Sequence, residues 1–197
     1  MIRVFARPVR HKAVTSAAVT ALCVAFGAHP AAAQKPALAF PGAEGAGRHA
    51  LGGRGGAIWR VTNLNDSGPG SLRAAVEAEG PRTVIFDIGG TIRLASPLTI
   101  RRGRITLAGQ TAPGGGVTLR DQPLIVAADD VVIRHLRSRL GDESGVEADA
   151  ISIERGRRII LDHVSASWSV DETLSVGSRY DLPERGIYDV TVQWSVI

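Results

Sequence analysis

The stretch VVIRHL, Val131 to Leu136, is echoed by IILDHV from Ile159 and by VTVQWS from Val190. Laid over one another, the three put Val131, Ile159 and Val190 in one column and Ile133, Leu161 and Val192 in a second. His135, His163 and Trp194 form a third. A further run, ITLAG, begins at Ile105, so successive starts lie 26, 28 and 31 residues apart. Shorter strand-like runs fall between them: LIVAA from Leu124, DAISIE from Asp149 and ETLSVG from Glu172. Each unit therefore holds at least two strands and no helix. A repeat of this length built from short strands is the mark of a solenoid. The Leu-x-x-Leu-x-Leu spacing of leucine-rich repeats is missing. A β-sandwich also has many short strands separated by turns, but variable turn length at constant strand register favours stacked coils, which expel insertions into loops.

Upstream, residues 40–56 read FPGAEGAGRHALGGRGG, a glycine-rich run that leads into the strand-like AIWRVTNL. That order predicts a loop hugging the backbone of a neighbouring element. DSGPG, residues 66–70, is a turn cluster, and Ser71 is placed to cap a short helix, LRAAVEAE, ended by Gly80 and Pro81. Leu72, Ala75 and Val76 give this helix one narrow apolar face, suited to plugging the open end of a coil stack. The reading is an all-β chain, a right-handed parallel β-helix with a short N-terminal capping helix. Since Val196-Ile197 falls inside a strand pattern with no terminal cap, the solenoid is expected to be incomplete at the C-terminus, as the N-terminal part of a longer protein.

Residues 1–33 read as a secretory signal peptide. Arg3, Arg7, Arg10 and Lys12 precede an apolar stretch from Ala13 to Ala28, and Ala31-Ala32-Ala33 supplies a small-residue cleavage site. The apolar part is too short to span a bilayer. The expected organisation is then the signal at 1–33, the glycine-rich loop, first strand and capping helix at 34–80, and the coils at 81–197. Cys23 leaves with the signal, so the mature chain needs neither a disulfide framework nor a thiolate metal site. It also loses its net charge: 19 basic residues face 19 acidic ones, and all but Lys35 of the basic ones are Arg. Near-neutrality argues against a nucleic-acid partner, and the planar fork of Arg suits carboxylates. A secreted monomer, extracellular or periplasmic, with no membrane contact after cleavage, is the expectation.

DHVSASWSVDETLSV, Asp162 to Val176, sets Asp171 and Glu172 side by side just before a strand-like run. Asp149 opens the equivalent run one coil earlier. One carboxylate from each of two neighbouring rungs would stand about 4.8 Å apart. Like charges at that spacing repel, and a divalent cation offsets the repulsion. Calcium, a hard cation, wants several oxygen ligands of this kind.

In their order, FPGAEGAGRHALGGRGG, VTNLNDSGPGSLRAAV, TVIFDIGGTIRL, ITLAGQTAPGGGVTL and DAISIERGRRIILDHVSASWSVDE resemble the pectate lyase family of secreted polysaccharide lyases. The resemblance implies a right-handed parallel β-helix and calcium-assisted β-elimination on polygalacturonate, an acidic polysaccharide. It implies Asp149 as the first acidic metal ligand, in the DAI motif, and Asp171 as the acid of the next rung. The best-known family pattern has a second Asp four residues on, where this chain has Ser175. The site is then completed by Glu172, by water or by substrate, unless Glu172 points away into the corner between sheets. The family's catalytic arginine lies on a rung beyond Ile197, so no catalytic residue is assigned here. Arg179 and Arg185 read as solvated loop charges.

Other residues are weighed against plainer readings. Asp162-His163 resembles a charge-relay pair, but no nucleophile elbow exists, and neighbours on a strand face opposite sides. His163, stacking in register with His135 and Trp194, reads as a packed structural residue. Asp142 and Glu143 are candidates to reach the calcium from a loop, against the plainer reading of a solvated turn, and Asp129-Asp130 read as turn chemistry. His49 and Glu44 are candidates for a sugar groove. Trp59, Trp168 and Trp194 are candidates for stacking on sugars, against the default of core packing for isolated aromatics. Two rival functions remain: a β-helix hydrolase of the polygalacturonase type, whose Asn-Thr-Asp motif is not visible, and a non-catalytic β-helix binding acidic glycans.

Overall fold

In runs such as RTVIF and VTLR alternate side chains turn inward, Arg82, Val84 and Phe86 in the first and Val117 and Leu119 in the second, so each strand buries one face and leaves the other toward solvent. A computed structural model, describing residues 36–177 and 186–197, shows how these half-buried strands are combined. In chain order they are β1 Ala57–Val61, β2 Arg82–Phe86, β3 Gly90–Arg93, β4 Leu98–Ile100, β5 Ile105–Ala108, β6 Val117–Arg120 and β7 Leu124–Ala127. There follow β8 Val131–Arg134, β9 Leu136–Arg139, β10 Ile151–Asp162, β11 Ser165–Ser167, β12 Leu174–Val176 and β13 Ile187–Gln193. Every pairing is parallel. One ladder runs β1-β2-β5-β8-β10-β13, a second β3-β6-β9-β11, and a third β4-β7-β10-β12. The chain visits the ladders in rotation, which makes the fold a parallel β-helix.

Strand β10 belongs to two ladders because it turns a corner. Its first residues pair with β7 and β12, its later ones with β8 and β13. Gly156 makes the bend at φ 119°, and a Cβ there would lie 2.3 Å from the Ala128 carbonyl oxygen. Only glycine fits both demands.

The predicted columns are real columns. Ile159 pairs with Val131 and Val190, and Leu161 with Ile133 and Val192. Val84, Leu107, Ile133 and Leu161 stack fully buried along one inner wall, and Leu98, Leu124 and Ile151 along another. Each such side chain contributes about 1.5–3 kcal/mol by leaving water.

The helix α1, Leu72–Glu77, starts where expected. Ser71 Oγ accepts from Ala74 N at 3.2 Å, and Leu72, Ala75 and Val76 are buried. Arg82, wholly buried, holds its C-terminal end: Nε donates to the Ala75 carbonyl at 2.7 Å, and the terminal nitrogens reach carbonyls of Val76, Gly80, Arg102 and Gly103. The glycine-rich loop lies against the outside of the first ladder. At Gly47 a Cβ would meet the Ile159 carbonyl oxygen at 2.1 Å, so the loop docks as closely as predicted.

The strand-like runs opening at Asp149 and Glu172 begin two residues later as hydrogen-bonded strands, at Ile151 and Leu174. The signal peptide expected over residues 1–33, Cys23, Arg179 and Arg185 lie outside the described residues.

Candidate functional site

Where β10 and β12 run side by side, Ile151 pairs with Leu174 and Ser152 with Ser175. The ladder continues one step back: Ala150 N donates to the Glu172 carbonyl at 3.3 Å. Asp149 and Glu172 therefore face each other across adjacent rungs, with Asp171 one residue earlier. Carboxylate oxygens of Asp149, Asp171 and Glu172 all lie within 4.8 Å of one another. Asp149 is half-buried, while Asp171 and Glu172 are exposed, so the cluster opens to solvent.

Asp149 is held from three sides. Glu172 N donates to its Oδ1 at 3.1 Å, Ser152 Oγ donates to Oδ2 at 2.7 Å, and Ser175 Oγ donates to Oδ2 as well. Burial works to raise this carboxyl, but donation from Ser175, then Ser152 and Glu172, outweighs it and holds Asp149 below the ordinary carboxylate range. Glu172 is displaced the other way. Hydrogen-bonding with Asp171 first, and with Asp149 next, pushes its carboxyl above the usual range. Three acids crowd one ledge, and a proton on Glu172 would relieve part of the repulsion. A hard cation relieves it in the same way. The donor set fits calcium: carboxylate oxygens only, exposed enough to leave room for water and a ligand. Ser175, where the resemblance implies an Asp, donates its hydroxyl to Asp149.

The other candidates are placed elsewhere. Glu143 pairs with Arg120 at 2.6 Å. Asp129 Oδ1 accepts from Arg157 N at 3.1 Å. Asp130 does take a left-handed turn conformation, at φ 57°, but it is also buried in an ion pair with Arg158 at 2.7 Å. His49 Nδ1 lies 3.3 Å from the Ala37 carbonyl oxygen, and Glu44 bonds through its backbone to Gln193 and Thr191. These contacts fix the glycine-rich loop on the first ladder, away from the acid cluster.

Two expectations are corrected. Asp162 and His163 do not face opposite sides: His163 Nδ1 lies 3.0 Å from Asp162 Oδ1. His163 adopts φ 53°, which ends the strand's alternation and swings its ring back over its neighbour. Asp162 is buried beneath it, taking Arg134 Nε at 2.7 Å and Gln193 Nε2 at 2.8 Å. His135 and His163 stack at 4.6 Å between ring centres, as the column predicts, but His163 is about half exposed. Nor are the tryptophans core residues. Trp59 is 38% exposed, Trp168 72% and Trp194 65%, because the coil interior is filled by aliphatic side chains. Trp168 and Trp194 share His163's left-handed backbone, which turns their rings off the strand faces.

No family model matches the chain. Among curated proteins, it is 45% identical over 161 residues to "Probable pectate lyase C" of Aspergillus fumigatus, covering 81% of this chain and 36% of that protein. The protein of the same name from Aspergillus terreus is 49% identical over the same shares. "Probable pectate lyase 5" of Arabidopsis thaliana is 30% identical over 64% of this chain and 36% of its own. Among solved structures, Jun a 1, the major allergen from cedar pollen, superposes with a TM-score of 0.62 at 23% identity, covering 75% of this chain and 46% of that one. That likeness shows the fold. Over 81% of its length the chain is recognised as a relative of proteins named pectate lyase, and it spans 36% of their length.

Proposed function

We propose that the protein of which these residues form part cleaves polygalacturonate by calcium-assisted β-elimination. The observation that carries the reading is the convergence of Asp149, Asp171 and Glu172 from adjacent rungs within 4.8 Å, in a chain with pectate lyase relatives. Calcium bound there supplies Lewis-acid polarisation of the uronate carboxylate, which acidifies the neighbouring C–H. The residues of this chain bind and orient. Ser152, Ser175 and the Glu172 amide fix Asp149, which leaves Asp171 and Glu172 as the exposed acids able to share a cation with substrate. No arginine of the chain matches the family's proton-abstracting residue, and the reading assigns that role outside these 197 residues. The protein is read as secreted and monomeric, its partner an acidic polysaccharide.

The test is absorbance of unsaturated uronides released from polygalacturonate by the complete protein, with and without a chelator. Calcium-dependent absorbance is expected, and Asp149→Ala or Asp171→Ala should each weaken calcium binding. Reducing ends without absorbance would point to hydrolysis, and binding without either product to a non-catalytic glycan binder. Absorbance that ignores the chelator would remove calcium from the reaction.

A further inference from the structure

His135 and His163 follow the ends of β8 and β10, one rung apart, and the proposed reaction uses neither. Both take a left-handed backbone, at φ 51° and 53°, which is unfavourable for residues other than glycine. The ladder runs on through them: His135 N donates to the Asp162 carbonyl at 3.0 Å, and His163 N to the Gln193 carbonyl at 3.2 Å. The two rings are stacked as a result, with 4.6 Å between centres and 18° between planes. They open on a cavity of about 370 Å³ whose wall also carries Gln110, Arg137, Ser165 and the glycine run 114–116, and no carboxylate.

Each imidazole is readied to give a lone pair. His163 Nδ1 donates to Asp162 Oδ1 at 3.0 Å, which fixes the tautomer and leaves Nε2 as the basic nitrogen. Asp162 is itself locked, because Arg134 Nε donates to its Oδ2 at 2.7 Å and Gln193 Nε2 to its Oδ1 at 2.8 Å. A fixed carboxylate behind a histidine is the common support of a metal-binding imidazole. The His135 ring is kept neutral by burial first, and by His163 and Arg134 next. A ligand atom of each of His135, Asp162 and His163 lies within 4.8 Å of the other two. Neutral imidazoles suit a transition-metal ion, whereas calcium takes oxygen. Zinc sits about 2.0–2.1 Å from nitrogen, so the pair closes on it by a turn of the His135 ring. Of the two cations nearby, Arg134 is neutralised by Asp162, and Arg137 donates through Nε to Thr118 Oγ1. The Arg137 charge opposes a cation and keeps the site exchangeable.

We propose that His135 and His163 form a second metal site, for a divalent transition-metal ion of the zinc class. Asp162 orients His163, and water from the cavity fills the remaining positions. The ion ties the rungs of β8 and β10 together. The site shares no residue with the acid cluster, so its failure would leave the calcium reading untouched.

The test titrates the full chain with Zn2+ in calcium-containing buffer at neutral pH, by calorimetry and by thermal melts. One equivalent is expected to bind and to raise the melting temperature. His163→Gln and His135→Gln should each weaken binding about tenfold or more, and Asp162→Asn about 10–100-fold. Asp149→Ala/Asp171→Ala should leave zinc binding unchanged. Melts without zinc check folding, and should Asp162→Asn unfold the chain, the two histidine variants decide. The proposal is overturned by zinc that neither binds nor shifts the melt, by affinity indifferent to both histidine variants, or by zinc binding lost with the acid-cluster variant instead. Mg2+ bound as tightly as Zn2+ would also overturn it, since that marks an oxygen site.

Discussion

Ser175 sets how much negative charge the acid cluster carries. It pairs in register with Ser152, and both hydroxyls converge on Asp149 Oδ2. Calcium affinity at an oxygen site rises with the number of charged ligands and with their rigidity. Ser175→Asp adds a fourth carboxylate, so it should tighten calcium binding by about tenfold or more and lower the melting temperature in chelator through like-charge repulsion. Ser175→Ala removes only a donor, so Asp149 is held less firmly and affinity should drop a few-fold. Calorimetric calcium titrations and melts with and without chelator check both. Weaker calcium binding in Ser175→Asp would rule out a cation at this cluster. Asp149, Asp171 and Glu172 were all legible as acids opening successive runs. Which of the last two faces Asp149 was not: it is Glu172, chosen by the Ala150-to-Glu172 backbone bond, and residues just ahead of a strand carry no alternation that would show this.

At the scale of elements, the capping helix depends on one buried cation. Arg82 fills the seam between α1 and the first full coil, and its guanidinium satisfies carbonyls at the C-terminal end of the helix and in the turn that ends at Gly103. Positive charge there also suits the helix dipole. Arg82→Ala leaves several buried carbonyls without donors and opens a cavity, at a cost of about 3–5 kcal/mol. Arg82→Lys should recover only part of this, since an ammonium cannot span the same carbonyls. Chemical denaturation read by circular dichroism measures both, and a loss below about 1 kcal/mol for Arg82→Ala would show the helix to be held by its apolar face alone. The helix, its cap and the two apolar-rich ladders were legible because their apolar spacing is regular. The ladder β3-β6-β9-β11 was not. Its strands are three or four residues long, and TIR and LRSR place arginine at the outward positions, so they read as polar loop. Trp168 follows β11 on that ladder with a left-handed backbone, so no alternation in the sequence marked it as exposed.

Across the whole molecule, buried acids couple stability to pH in one direction. In Asp121, Asp130 and Asp162 burial works to raise the carboxyl, yet the arginines beside each outweigh it and hold all three below the ordinary 3.8. His135 is held below 6.5 by burial first and by His163 and Arg134 next. For each of these groups the unfolded chain takes up its proton at a higher pH than the folded one, so stability falls with acidification. The His135 contribution is complete above 6.5 and fades as the pH drops through its folded value. The aspartate contributions are complete above 3.8 and fade below it. The raised Glu172 carboxyl acts in the opposite sense, but at the surface it is screened. The melting temperature should therefore be level from pH 8 to 7, decline gently below 6.5 and fall steeply below about 4. His135→Gln should flatten the first decline, because the residue that titrates is gone. Asp162→Asn should lower the melting temperature already at pH 7, since Arg134 then lacks its anion, and should soften the acid limb. Melts by circular dichroism in chelator across this range make the check, and a melting temperature that climbs from pH 6.5 to 4 would show that repulsion in the acid cluster outweighs His135 and the three buried aspartates together.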